Sequence, residues 1–244
     1  MPVTLRRTTD FLPLIMPYCA TCPEFLAEQM VRLAAIDFAE RSRAWRHVIT
    51  AQVQAGTPEV VLSGSVGSQM FNMLFMWGGP AEPVANLSST AALATIHEFE
   101  FAEFDGAKLE PMQFSTMDRV EEGNPRFVTQ IRPGVVAIWP IGRTGTLRMS
   151  LFLKPSAQSQ YGTDLTRPLF DRYNVVPDFF LSIHGATIAA GALERILSIP
   201  DEVWTDHKAA AKFGLTYREK VDASFRANMR GQQRAPIRTK ASFF

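Results

Sequence analysis

Cysteine is almost missing from this 244-residue chain, which has only Cys19 and Cys22. Two thiols cannot make a disulfide framework, and a structural zinc site calls for a second Cys or His pair at ligand spacing. Histidine gives no such pair: His47, His97, His184 and His207 stand far apart in the sequence. Also missing are a G-x-x-x-x-G-K-[ST] phosphate loop, a G-x-G-x-x-G turn after a strand, an H-E-x-x-H helix and a G-x-S-x-G elbow, so no motif announces an enzyme. There is no excess of one charge either. Lys plus Arg number 25 against 24 Asp plus Glu, a net charge of +1, which argues against a generally basic nucleic-acid binder but leaves room for a local patch. Long hydrophobic runs are lacking: the most apolar window, Phe179 to Leu193, falls short of the roughly 20 residues that span a bilayer and carries Ser182, His184 and Thr187. Pro13 and Pro17 interrupt the early apolar stretch and no cleavage site follows it, unlike a secretory signal. The expectation is a soluble chain made inside the cell, with no membrane partner.

What is present is enough apolar sequence to fold. Hydrophobic residues make up 46%, too many for a disordered chain, and the length suits one large domain or two modest ones. Thr21-Cys-Pro-Glu24 has the spacing of a capping box, with Pro23 tolerated in the first turn, and predicts a helix from Glu24 to about Arg46. Three apolar groups lie along it: Leu26, Met30 and Leu33; Phe25 and Ile36; Val31, Phe38 and Trp45. A helix apolar on so many sides is expected to be buried on several, and whether a second subunit supplies one of them stays open at this point. Cys22 at the start of that helix allows a CxxC redox reading, because helix N-termini lower thiol pKa values. The preceding Phe11–Tyr18, broken by proline, makes a poor central strand for such a protein, and a capping and packing role is preferred.

From Val48 to Lys154 the pattern turns to short alternating runs between Gly, Pro and Asn, which predicts a mainly β module. Leu147–Leu153 is its clearest strand, with Leu147, Met149, Leu151 and Leu153 on one face. Gly134–Trp139 is its expected partner across a Pro140–Gly145 loop. His97–Phe101, Val48–Val53 and Glu59–Leu62 are further strands, and Phe104–Leu109 is a hairpin turning at Asp105-Gly106. Gly64–Ser89 fits no element. After a polar stretch, Val176-Pro-Asp178 opens a helix whose seam is Phe179, Ile183, Ala186, Ala190, Leu193 and Leu197, with Gly185 and Ala189 allowing close approach of another backbone. Pro200 ends it. A last helix runs from about Asp206 to Arg230, with Gly231 as its C-cap and Phe213, Tyr217, Val221, Phe225 and Met229 along one side. The predicted class is α+β: a small helical bundle from residues 1–47 and 166–231, a β module inserted at 48–165, and an extended C-terminal arm at 232–244. So small a bundle invites completion by oligomerisation.

Two charge features stand out. Between Thr95 and Glu122 the acids Glu98, Glu100, Glu103, Asp105, Glu110, Asp118, Glu121 and Glu122 face only Lys108 and Arg119. They suit a solvated β face, a patch toward a channel or another subunit, or a divalent-cation or acid–base site. From Phe225 to Phe244 the bases Arg226, Arg230, Arg234, Arg238 and Lys240 meet no acid, and the sequence closes on Phe243-Phe244. Such an arm could contact DNA phosphates or anchor in a protein partner. His184, among apolar helical positions, is expected to be a core or interface histidine.

Four stretches in this order resemble the tailed-bacteriophage head-to-tail adaptor (connector) proteins. They are Cys22–Trp45; Phe104-Asp-Gly-Ala-Lys-Leu-Glu-Pro111 leading to Met117-Asp118 and Gly123-Asn-Pro-Arg-Phe127; Gly145–Ser156; and the closing helices with their Arg-rich tail. The resemblance implies a helical bundle with an inserted β module, assembled in rings, usually of twelve copies, beneath the portal. It implies a C-terminal arm packed into the portal, a downstream tail or nozzle protein, and transient contact with passing double-stranded DNA. A virion neck location follows, after synthesis in the host cytoplasm. No catalytic residue, cofactor or metal is implied. The Gly64–Ser89 segment departs from the shorter connection expected there. A CxxC redox enzyme and a DNA-binding module using the basic arm are the alternatives.

Overall fold

The structure is a computed structural model, and it describes residues 5–53, 55–56, 59–61, 94–113, 123–132, 135–140, 142–155 and 175–229. The expectations for Gly64–Ser89, the polar stretch after Pro155, Met117-Asp118, the Gly231 cap and the arm therefore lie outside the described residues. Strand β1 (Leu5–Arg7) and the short helix α1 (Leu12–Ile15) precede α2 (Glu24–Ser42). Strands β2 (Arg46–Val53), β3 (Glu59–Val61), β4 (Ala94–Phe104), β5 (Ala107–Lys108), β6 (Glu110–Pro111), β7 (Phe127–Arg132), β8 (Val135–Trp139) and β9 (Gly145–Pro155) follow. Strand β10 (Val175–Pro177), α3 (Asp178–Ser182), α4 (Gly185–Leu197) and α5 (His207–Met229) complete an α+β fold.

The capping box does not form. Pro23, extended at φ −60 and ψ 134, is the last residue before α2, and no side chain caps the helix. Its carbonyl instead accepts from the Leu26 and Ala27 amides. The helix also stops at Ser42, before the expected Arg46, because Arg43 takes a left-handed φ of 52 and sends the chain into β2. Within the chain α2 is buried along Ala27, Val31, Ala34, Ala35, Phe38 and Ala39, while Phe25 is 72% exposed and Leu33 is 44% exposed. Small residues are buried where helices press together, and two of the larger apolar groups are left outward.

Helices α3 and α4 replace the single predicted helix. The chain breaks at Ile183-His184, and the predicted seam holds only beyond the break: Ile183 is 71% exposed and Ala186 is exposed, while Ala190, Leu193 and Leu197 are buried together with Ile188, Ala189, Ala192 and Ile196. The close approach is not at Gly185, where a Cβ would meet Leu181 and Leu14 at ordinary distances of 3.4 and 3.5 Å. It is at Gly191, where a Cβ would lie 2.7 Å from the Tyr217 ring of α5. Tyr217 is fully buried and its hydroxyl donates to Asp37 at 2.7 Å and is 3.0 Å from the Ala34 carbonyl, so α2, α4 and α5 meet around it. Helix α5 starts where Asp206 caps it, its carboxylate accepting from the Lys208 and Ala209 amides at 3.0 Å.

The strands form two four-stranded sheets and one small ladder. One sheet has the order β2-β9-β4-β5, the other β3-β8-β7-β6, and β1 pairs with β10. All pairings are antiparallel except β6–β7. The Phe104–Leu109 hairpin turns at Asp105-Gly106, both at positive φ (48 and 83), as a two-residue turn requires. Strands β8 and β9 both exist but are not partners: β9 lies between β2 and β4, and β8 between β3 and β7. Pro140–Gly145 passes from one sheet to the other instead of closing a hairpin. The reason shows in the burial of β9. Leu147, Met149, Leu151 and Leu153 are buried as expected, but so are Ser150 and Phe152, the pattern of a central strand covered on both faces.

Candidate functional site

The predicted acidic row Glu98, Glu100, Glu103 and Asp105 is brought together on β4 and its turn. Their spacing in sequence is uneven, and strict alternation would put Glu98 and Glu103 on opposite faces. The ladder to β9 corrects this. Its register shifts between Phe99 and Phe101, so Glu98 stands opposite Phe152 and Glu103 opposite Arg148, an even step apart on β9. The bulge thus gathers the carboxylates on the face that carries Phe152, Ser150 and Arg148.

Each carboxylate on that face meets a base of the same chain. Arg43 lies 2.6 Å from Glu98, Arg46 2.8 Å from Glu100, Arg148 3.2 Å from Glu103 and Arg143 3.8 Å from Asp105. Ser150, itself buried, donates to Glu100 at 2.8 Å, and the Thr146 amide donates to Asp105 at 2.8 Å. Arg43 and Arg46 also lie over the Phe152 ring, each 5.5 Å from its centroid. The row is therefore a layer of arginine–carboxylate pairs roofing Ser150 and Phe152. Glu110 is exposed on β6, and Asp118, Glu121 and Glu122 lie outside the described residues. No group of three or more His, Cys, Asp or Glu is placed to hold a metal ion among the described residues.

Of the predicted arm, Arg226 is seen exposed on the last turns of α5; Arg230, Arg234, Arg238, Lys240, Phe243 and Phe244 lie outside the described residues. A base that touches the last turns of α5 was not singled out by sequence reasoning. It is Arg43, which besides Glu98 and Phe152 touches Phe225, with its guanidinium 5.5 Å from the ring centroid. The signal available for it was only a base just past the end of a helix, which is ordinary.

Cys19 and Cys22 are reduced and buried. The Cys22 amide closes a turn on the Cys19 carbonyl at 2.9 Å, and the Cys19 thiol donates to the Ile15 carbonyl at 3.5 Å. Burial pushes the Cys19 thiol up from 9.0 to about 11 and raises Cys22 as well. Helix placement at Cys22 thus brings no lowered pKa, since the helix begins beyond it and desolvation dominates. The ring of His184, half-buried just before α4, packs 4.6 Å from Phe38 and 6.5 Å from Phe179, and burial lowers its pKa below 6.5. Among the described residues no helix is long and apolar enough to cross a membrane.

Neither a scan against protein-family models nor a search of curated proteins gives a match to this chain.

Proposed function

We propose that this chain is a structural protein of a tailed-phage neck, a head-to-tail adaptor whose copies form a ring between the portal and the tail or nozzle protein. The observation that carries the reading is the order of parts along the chain. Helix α2 comes first, strands β2 to β9 follow, and α4 and α5 then pack back on α2 and lead into the basic segment. The four sequence stretches that resemble the family fall, where their residues are described, on these parts in that order. Exposed apolar side chains add support: Phe25, Leu33 and Leu215 on the helices and Ile183 at the break between α3 and α4 lie outward, surface that a neighbouring copy in a ring, of twelve on the family pattern, would cover.

In this reading Arg226, Arg230, Arg234, Arg238 and Lys240 dock on the portal with Phe243 and Phe244, using planar guanidinium forks and aromatic anchors. Glu98, Glu100, Glu103 and Asp105 keep the β module in shape through their own arginines, and double-stranded DNA passing the ring meets a nearly neutral row there. The protein has no catalytic role, cofactor or metal; it is made in the host cytoplasm and resides in the virion neck. The buried, raised thiols count against CxxC redox chemistry.

The test is to express the chain alone and together with a tailed-phage portal protein, and to weigh the products by native mass spectrometry. A ring mass and a portal complex are expected, and a lone monomer under all conditions overturns the reading. Deleting Gln232 to Phe244 is expected to leave a folded protein that no longer co-purifies with portal. Full occupancy by the truncated protein removes the arm from the interface, and equal loss of DNA and portal binding favours the nucleic-acid alternative.

A further inference from the structure

The far end of α5 is fastened to the molecule differently from the rest of the helix. Ala210, Gly214, Tyr217 and Val221 are its buried residues, and beyond Val221 none is buried up to Met229. The hydrophobic core therefore holds the first four turns of the helix and releases the last two. What holds those two turns is Arg43. Its guanidinium pairs with Glu98 of β4 at 2.6 Å and lies over the rings of both Phe152 and Phe225, 5.5 Å from each centroid. It also donates to the Met229 sulfur at 3.9 Å, and next to it Asn228 donates to the Ser42 carbonyl at 2.9 Å. The ion pair between Arg41 and Asp222, 3.6 Å apart with Asp222 well exposed, adds little.

Arg43 occupies its place against backbone preference. It follows the last residue of α2 in the left-handed region, where glycine is the usual choice. A non-glycine residue there is tolerated when its side chain repays the strain. Here the side chain joins the end of α2, two strands of one sheet and the end of α5 at a single cation, and Arg230, the first residue of the basic segment, follows directly on Met229.

We propose that Arg43 is a positioning residue: a latch that holds the last two turns of α5 against the sheet and so fixes where Met229, the residue before the basic C-terminal segment, stands. The latch stands without the portal reading. Its consequence, a segment that starts from a fixed residue and docks with less ordering cost, rests on that reading.

Residue-resolved amide hydrogen exchange of the full chain, without any partner, tests it. Arg43→Gly removes the side chain and relieves the backbone in one step. If Arg43 were only a cap, glycine would protect the end of α5 equally well or better. The latch requires exchange at residues 224–229 to rise about tenfold or more, with residues 210–221 near their original rates. Phe225→Ala, which takes one of the two rings from the guanidinium, must open the same segment. That variant decides between latch and cap if Arg43→Gly fails to fold, and unchanged exchange at 224–229 in either folded variant overturns the proposal. Portal docking then separates the two readings: docking at full strength by an opened variant removes the latch from docking, whereas failure of the unaltered chain to dock overturns the portal reading and leaves the exchange result standing.

Discussion

Tyr217 and Gly191 set how closely the helices pack. The ring of Tyr217 lies against the backbone of α4 at Gly191, and its hydroxyl reaches back to Asp37 and Ala34 of α2. Arg195 and Arg41 flank the ring at 5.8 and 5.9 Å, and Arg195 also donates to the Gly191 carbonyl at 2.7 Å. Burial and the neighbouring Asp37 carboxylate drive the Tyr217 pKa far up, so the hydroxyl keeps its proton and donates throughout the physiological range. A methyl group at Gly191 has nowhere to go, because the obstacle is a buried aromatic ring and not the end of a flexible chain. Gly191→Ala is expected to cost about 1–3 kcal/mol, the usual penalty for overpacking a filled core, read as a lowered urea midpoint with unchanged slope. An unchanged midpoint would mean that α4 and α5 slide apart at little cost. Little of this packing was legible in the sequence. Glycine at 185 and alanine at 189 suggested close approach six and two residues too early, because spacing tells which residues share a face but not where a neighbouring ring will land. The buried side of α2 hid for a related reason. Alanines carry little hydrophobic signal, yet they are what two helices press together, while Phe25 and Leu33 suggested burial and lie exposed.

At the scale of elements, β4 and β9 show what a strand pattern can and cannot reveal. Alternation at Leu147 to Leu153 identified β9, and Asp105-Gly106 located the hairpin turn between β4 and β5, because both signals are local. The partners of β9 were not legible, since pairing depends on which elements the chain brings alongside, and the nearest strand in sequence joined the other sheet. The acidic row was legible as a cluster of residues but not as a set of ion pairs. Its arginines come from the end of α2, from β2, from β9 and from the loop before it, and the bulge at Glu100 decides which face they share. This assigns the row a task that can be measured. The triple change Glu98→Lys, Glu100→Lys and Glu103→Lys would set each new lysine against an arginine, an arrangement that destabilises across strands. The expected effect is a lowered unfolding midpoint that salt partly restores, because the pairs are half exposed and screened. Each lost pair is worth about 0.2–1 kcal/mol by the usual range for exposed pairs. Stability equal to the original at low salt would show the row to be free of its own arginines in solution.

Across the whole molecule, the helices and the sheets share one core. The buried cluster runs without a gap from Phe11, Phe38 and Phe180 among the helices through Trp45 to Leu151 and Leu153 of one sheet and Val136 and Ile138 of the other. Trp45 is the joint: its ring lies 6.1 Å from Phe180, and its carbonyl accepts from the Leu153 amide at 2.8 Å. Lys154 of β9 and Glu40 of α2 form an ion pair across the same boundary. The sequence order suggests a β module that could be lifted out with the helices left standing, and the packing argues against that outcome. Removing residues 48–154 would strip the cover from Phe38, Trp45 and Phe180, and three helices alone bury too little to replace it. We therefore expect a single cooperative transition in urea. Far-ultraviolet circular dichroism, which follows mainly the helices, should coincide with the fluorescence of Trp139, which sits buried in the second sheet. Comparing the chain with its Trp139→Phe variant isolates that signal. The excised protein, in turn, should show little helix at any concentration. Fluorescence that changes well before the helical signal, or a helical excised product, would mean that two units fold separately and only touch at Trp45; one midpoint for both probes means that the protein's sheets and helices stand or fall together.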